Sequence, residues 1–164
     1  MKIKKKAFEL YLTSLNLGNK LSALNLGICY ETAEGVDKDL KEVEKFYLIA
    51  ADYYNETALI NLGNMYENKN GVGGDYSKAI EFYRKAASVG SIEGMCRLGK
   101  CYRHGHGVEE DPYEAFKLYR CSYQKSGDVE IGKILDDIIN EHPIVLWKMK
   151  DEADRVPGWR FRTL

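Results

Sequence analysis

Apolar side chains fall along this chain at helical spacing, and the helical pattern itself recurs every 36 residues. Leu26, Gly27 and Tyr30 return as Leu62, Gly63 and Tyr66, and again as Leu98, Gly99 and Tyr102. Leucine at i and tyrosine at i+4 share one face of a helix, which predicts first helices near 20–33, 56–69 and 92–105. A second pattern keeps the same register: Phe46-Tyr47, Phe82-Tyr83 and Leu118-Tyr119, each followed by a small residue, Ala50, Ala86 or Ser122. It predicts a second helix in every unit. A fixed period of about 20 to 50 residues means one supersecondary unit stacked several times, each completing its neighbour's core.

The helix ends are marked in register as well. Asp39, Asp75 and Asp111 stand where a carboxylate can accept from the orphan N–H groups of the second helices. Asp39 with Glu42, and Asp111 with Glu114, read as capping boxes, and Pro112 takes the favoured first helical position. Gly35, Gly71 and Gly107, each followed by valine, permit the positive φ of the turn within a unit. Gly90 ends one second helix; where Tyr54 and Ser126 replace it, Asn55 and Gly127 are expected to take the left-handed conformation. Gly27, Gly63 and Gly99 lie inside helices, where each costs about 1 kcal/mol relative to alanine. Their recurrence predicts a helix approach too close for a Cβ.

Residues 3–17, through Phe8, Tyr11, Leu12 and Leu15 with a stop at Gly18, read as the second helix of a repeat and as an N-terminal cap. The lysines at 2, 4, 5 and 6 belong on its solvent side. After residue 127 Ile134 and Ile138 keep the Leu and Tyr positions while Leu135 replaces the packing glycine, and Pro143 breaks the helix. Residues 144–155 form a further amphipathic helix through Val145, Trp147, Met149 and Ala153, ahead of a tail that starts at Pro157-Gly158. Trp147 and Trp159 are expected to cover the open end of the core. The expected organisation is all-α: a solenoid over 1–142, with full repeats at about 20–55, 56–91 and 92–127 and a half-repeat at 128–142, then a capping helix and tail at 143–164.

Composition narrows the functional classes. Lysine plus arginine (24) nearly balances aspartate plus glutamate (25), so no bulk charge points to nucleic acid or an anionic membrane. The basic start resembles a signal peptide, but Glu9 and Asn16 interrupt the apolar run and no small-residue cleavage site follows. No run approaches the roughly 20 apolar residues that span a bilayer, and a soluble, cytoplasmic protein is expected. Cys29, Cys96, Cys101 and Cys121 show no regular pairing, and Cys29 and Cys101 alternate with Met65 in register, so reduced thiols are expected.

Read from Ala58 through Ala87, the pattern A-x3-L-G-x2-Y-x4-G-V-x2-D-x3-A-x2-F-Y-x2-A-A resembles the Sel-1-like repeat, a relative of the tetratricopeptide repeat with a longer turn. The resemblance covers about residues 6 to 144. It implies a right-handed α-solenoid of antiparallel helix pairs and an adaptor or scaffold role in protein complexes, without naming a partner. The family turn G-x-G-V stands here at Gly105-His106-Gly107-Val108, whereas Ala33 and Lys69 replace its first glycine in the other copies. Cysteine-rich secreted relatives carry a pair of cysteines per repeat; Ala51/Leu59 and Ala87/Met95 occupy those positions here, so that disulfide framework is missing.

Candidate chemistry is sparse. Cys96, Cys101, His104 and His106 bring four possible zinc ligands together in sequence, but Cys96 and Cys101 lie about 140° apart on a helix and do not converge on one ion. Ser122-x2-Lys125 matches the S-x-x-K of serine acylases without S-D-N or K-T-G, and Ser122 holds a small core position. Gly71-Val72-Gly73-Gly74 precedes a helix, yet Asp75 would oppose a phosphate there. No catalytic residue, metal or cofactor is expected, and the in-register tyrosines are core rather than base-stacking groups.

The reading that remains is a non-catalytic scaffold or adaptor. In tetratricopeptide-like solenoids the first helices line a concave groove, and the resemblance places Thr57, Ile60, Asn61, Asn64, Glu67 and Asn68 on that face of the second unit. The same offsets select Leu21, Leu24, Asn25, Ile28, Glu31 and Thr32 before it, and Glu93, Cys96, Arg97, Lys100, Arg103 and His104 after it. The candidate binding residues are Asn25, Asn61, Asn64, Arg97, Lys100 and Arg103, suited to a protein or peptide partner with an acidic segment. A groove-bound small-molecule binder or hydrolase, and a structural fragment of a larger assembly, are the alternatives. The sequence leaves the oligomeric state open.

Overall fold

The computed structural model describes residues 2–68 and 74–155, the side chains of 152–155 excepted. The turn through Lys69, Gly71, Val72 and Gly73 and the tail with Pro157, Gly158 and Trp159 lie outside the described residues. The described chain is helical: α1 (Lys2–Asn16), α2 (Ser22–Thr32), α3 (Leu40–Ala51), α4 (Glu56–Glu67), α5 (Tyr76–Ser88), α6 (Ile92–His104), α7 (Pro112–Ser126), α8 (Val129–Glu141) and α9 (Ile144–Arg155). Two compact units divide it, Met1–Gly94 and Met95–Leu164.

In the first unit the second helices start where the aspartates are. Asp39 accepts from the N–H groups of Lys41 (2.8 Å) and Glu42 (3.3 Å), and Asp75 from that of Lys78 (3.2 Å). The Glu42 carboxylate, cast for the other arm of a capping box, pairs with Lys45 at 2.8 Å. Between the helices the core is built by the repeated residues: Leu26, Val43, Tyr47, Leu59, Leu62 and Tyr83 are fully buried. The aromatic packing repeats with them, Tyr30 stacking on Phe46 and Tyr66 on Phe82, each with ring centroids 5.6 Å apart.

The packing glycines act as their recurrence predicts. A Cβ on Gly27 would lie 2.4 Å from the ring of Tyr47, and one on Gly63 would lie 2.2 Å from Tyr83. The in-register tyrosine of α3 and of α5 lies over the glycine of the first helix before it. Helix α1 packs on α2 in this unit, placing Phe8 against Leu26, Cys29 and Phe46. The Gly35 turn, at φ +82°, presses on its backbone so closely that a Cβ would sit 2.6 Å from the Lys4 carbonyl oxygen.

One turn expectation is corrected. Asn55 does not become left-handed; it has φ −66° and caps α4, its side chain accepting from the N–H of Ala58 at 3.0 Å. Tyr54 takes the left-handed conformation itself, at φ +55°. The next helix needs its cap more than the turn needs a glycine, so the strain falls on the residue before. Ala33 is also left-handed, at φ +56°, whereas Gly127 is left-handed at φ +65° as expected.

In the second unit Asp111 accepts from Tyr113 and Glu114 N–H groups at 2.9 and 3.1 Å, with Pro112 opening α7. Tyr119 lies over Gly99, less tightly than its counterparts, a Cβ there falling 3.0 Å from the ring. Ile131, Ile138 and Val145 are buried. Trp147 does not cover the core as expected: it is 62% exposed, because two residues from the buried Val145 place it about 200° round the helix.

Candidate functional site

Each first helix in the first unit lies between two second helices, which narrows its open face. Ile60, expected on that face, is buried, and Leu24 packs on the Ala23, Ala50 and Ala58 cluster. The open arc of α4 is left to Thr57, Asn61, Asn64 and Asn68, of which Asn61 and Asn64 are half-buried; Asn25 is half-buried at the matching place on α2.

Beside Asn61 and Asn64 lies a row of phenols. The Tyr47 hydroxyl donates to Glu31 Oε2 at 2.5 Å, and Asn61 bonds the same phenol. The Tyr83 hydroxyl lies 2.6 Å from Glu67 Oε2 and 2.8 Å from Asn64 Oδ1; with one proton to give, it favours the carboxylate. Tyr66 donates to Glu44 of α3. These carboxylates are partners of the buried phenols, a role the sequence does not single out. The available signal is that Glu31 and Glu67 each stand sixteen residues before the tyrosine they hold.

The third repeat departs from this arrangement, since Arg103 occupies the register position of Glu31 and Glu67. Its side chain is only 16% exposed, and Nη2 reaches both Glu141 carboxylate oxygens at 3.0 and 2.8 Å, tying α6 to α8. Arg103 is therefore committed inside the second unit, while Arg97 is half-buried and Lys100 exposed on the same helix. The three amides belong to the first unit and the three cations to the second.

Burial governs the phenols' ionisation. Tyr66 is pushed up to about 12, first by desolvation and then by its bond to Glu44. Tyr119 also rises to about 12, first by desolvation and then by the neighbouring Cys96, with Arg103 opposing. Tyr47 is raised further, by desolvation and then by Glu31. A folded-state pKa above the unfolded value of about 10 contributes stability that is present below pH 10 and lost as pH rises through the folded value. Unfolding free energy should therefore hold level to about pH 9.5 and fall between about pH 10 and 12. In the native chain a subset of the twelve tyrosines should ionise late. Phenolate absorbance showing all of them titrating together near pH 10 would contradict this.

Other candidate chemistry resolves into structure. Ser122 is fully buried and donates to the Leu118 carbonyl at 3.0 Å, as a packing residue. Cys29 and Cys101 are buried, Cys96 and Cys121 half-buried, and none of the four is in a disulfide; burial, then Glu34, raises the Cys29 thiol. Among the described residues no three His, Cys, Asp or Glu side chains converge as a metal ligand set, and no helix is long and apolar enough to cross a membrane.

Comparison with known families matches the Sel1 repeat at residues 20–52, 57–91 and 92–126. No curated protein matches the chain. Among solved structures, a Sel1 repeat protein from Oxalobacter formigenes shares 30% identity at a TM-score of 0.72, over 80% of this chain and 54% of its own. A protective antigen of uropathogenic Escherichia coli strains with an SLR fold shares 31% at 0.76, over 82% of this chain and 28% of its own. The chain thus spans about half, or less, of the length of these relatives. Cysteine rich protein B of Helicobacter pylori has the same fold, with 23% identity and a TM-score of 0.63 over 82% of this chain and 96% of its own.

Proposed function

The chain belongs to the Sel1-repeat family, an all-α helical-repeat fold that is generally a protein–protein interaction scaffold, and we propose that it is a non-catalytic adaptor that holds an extended peptide segment of a partner protein. The observation that carries the reading is a polar arc on the first helices of the first unit, where Asn25 and Asn61 are a single register position joined by Asn64 one turn on; in the second unit Arg97 and Lys100 hold the same register in the sequence. Side-chain amides suit a peptide backbone, which offers donors and acceptors in alternation. Arg97 and Lys100 suit an acidic side chain, and Arg103, held by Glu141, orients rather than binds. Four cysteines without a regular pairing pattern fit a reducing compartment, and we propose a cytoplasmic location.

Exchanging Arg97 and Lys100 for glutamate should leave helicity and melting temperature unchanged and reduce partner recovery in an affinity pull-down about tenfold. The residual binding should lose its sensitivity to salt. Undiminished recovery by the folded double mutant would remove the basic helix face from the binding site.

A further inference from the structure

Three local costs meet at the turn between α3 and α4. One is backbone strain. Tyr54 donates its N–H to the Ala51 carbonyl at 2.8 Å and Asn55 donates to that of Ala50 at 3.3 Å, the paired bonds of a Schellman motif whose left-handed residue is Tyr54. Gly18 and Gly90 hold the equivalent place in the turns after α1 and α5. Here a Cβ is carried into the left-handed region, and the ring stays in water at 65% exposure. A second ring stands beside it, since Tyr53 is 59% exposed where the third repeat has Lys125.

The third cost is electrostatic. Asp52 puts an exposed carboxylate at the C-terminal end of α3, where the negative end of the helix dipole opposes it. Helices α5 and α7 carry a lysine in their last turns, Lys85 and Lys125, whereas α3 has no basic residue there. Glu56, exposed in the first turn of α4, brings a second carboxylate to the same turn. The exposure is set within the first unit, because α3 packs on α2 and α4 packs on α5. Asn55 also caps α4 with its side chain, so the two phenols stand on a turn fixed at both ends. Local rules broken together with no gain inside the fold mark a candidate site.

A cation would offset all three costs. Its charge would answer Asp52 and the dipole, and the phenol faces would attract it. A guanidinium suits the turn better than an ammonium, being planar enough to stack on a ring, forked to meet a carboxylate and more weakly hydrated. We infer that the Asp52-Tyr53-Tyr54 turn is a docking site for an arginine side chain of a partner protein. The inference is independent of the amide face of the first helices.

The probe is N-acetyl-arginine amide, titrated into the isotope-labelled full chain and followed by its amide resonances, with N-acetyl-citrulline amide as the uncharged isostere. Saturable shifts centred on Asp52 to Glu56 are expected, with binding at least tenfold weaker for the citrulline probe. Asp52→Asn, Tyr53→Ser and Tyr54→Gly should each weaken the arginine probe at least threefold. The fold should survive all three: Tyr54→Gly relieves the left-handed backbone, Asp52→Asn removes a charge the dipole opposes, and Tyr53 is exposed, so the melting temperature should hold or rise. Glu81→Gln, at an exposed carboxylate on α5, should leave binding unchanged. Absence of saturable shifts at the turn, equal binding of citrulline, or an equal loss with Glu81→Gln would overturn the inference. So would free arginine binding at least tenfold more tightly than its acetyl amide, which would mark a small-molecule site. Sedimentation showing that the chain alone forms a dimer that Asp52→Asn dissociates would overturn it too, since a second copy would then occupy the turn.

Discussion

Leucine in place of Gly63 is expected to destabilise the chain by about 1–3 kcal/mol or more, through overpacking of the central repeat. The Cβ alone would lie 2.2, 2.6 and 2.9 Å from three carbons of the Tyr83 ring. That ring has nowhere to go: Tyr83 is fully buried and its hydroxyl is held by Glu67 and Asn64. The backbone of α4 must then part from α5, and a solenoid draws its stability from such nearest-neighbour contacts. Alanine gives the sharper test, because the two contributing effects have opposite signs. In a helix interior Gly→Ala stabilises by about 1 kcal/mol on propensity alone. Packing predicts the reverse at Gly63 and at Gly27, where the Cβ would fall 2.4 Å from Tyr47, and a much smaller effect at Gly99, where the gap is 3.0 Å. Chemical denaturation of the three alanine variants should rank them in that order. Equal shifts, or stabilisation at position 63, would show that the glycines are not there to admit the tyrosines.

Much of this packing is legible in the sequence because a repeat supplies its own controls. A glycine inside one helix is a curiosity; three in register, against a propensity cost of about 1 kcal/mol each, demand a steric reason. The aspartates at 39, 75 and 111 are legible for the same cause, being local signals that act within a turn of themselves. What the sequence hides is non-local or competitive. Arg103 looks like a groove cation until Glu141, 38 residues on, takes it. Ile60 fits an open arc on a helical wheel, but the wheel of a first helix has two packed sides and Ile60 falls on one of them. Trp147 is large enough to cap the core, yet the register of α9 is set by Val145. Glu31 and Glu67 are placed on the concave face by their register, and their bonds stay hidden because the phenols they hold belong to the next helix.

Glycine at Ala33 and at Tyr54 is expected to stabilise the chain, by about 0.5–1 kcal/mol at each position. Both residues are left-handed, at φ +56° and +55°. Glycine stands at the equivalent places elsewhere in the chain: Gly105 (φ +65°) matches Ala33, and Gly18 and Gly90 (φ +94° and +93°) match Tyr54. A Cβ in this region costs about 1–2 kcal/mol, and the larger unfolded-state entropy of glycine returns part of that gain. The two residues lie at opposite ends of the antiparallel α2 and α3, so their effects should add, giving the double variant about 1–2 kcal/mol and a higher Tm. Tyr54 is 65% exposed, so removing its ring could itself alter stability by a route unrelated to the backbone. Tyr54→Ala separates the two: it removes the ring and keeps the Cβ, and should bring no gain. Tyr54→Asn should fall between alanine and glycine, since asparagine tolerates the left-handed region. If alanine stabilises as much as glycine at position 54, the exposed ring rather than the backbone conformation is the source of the cost.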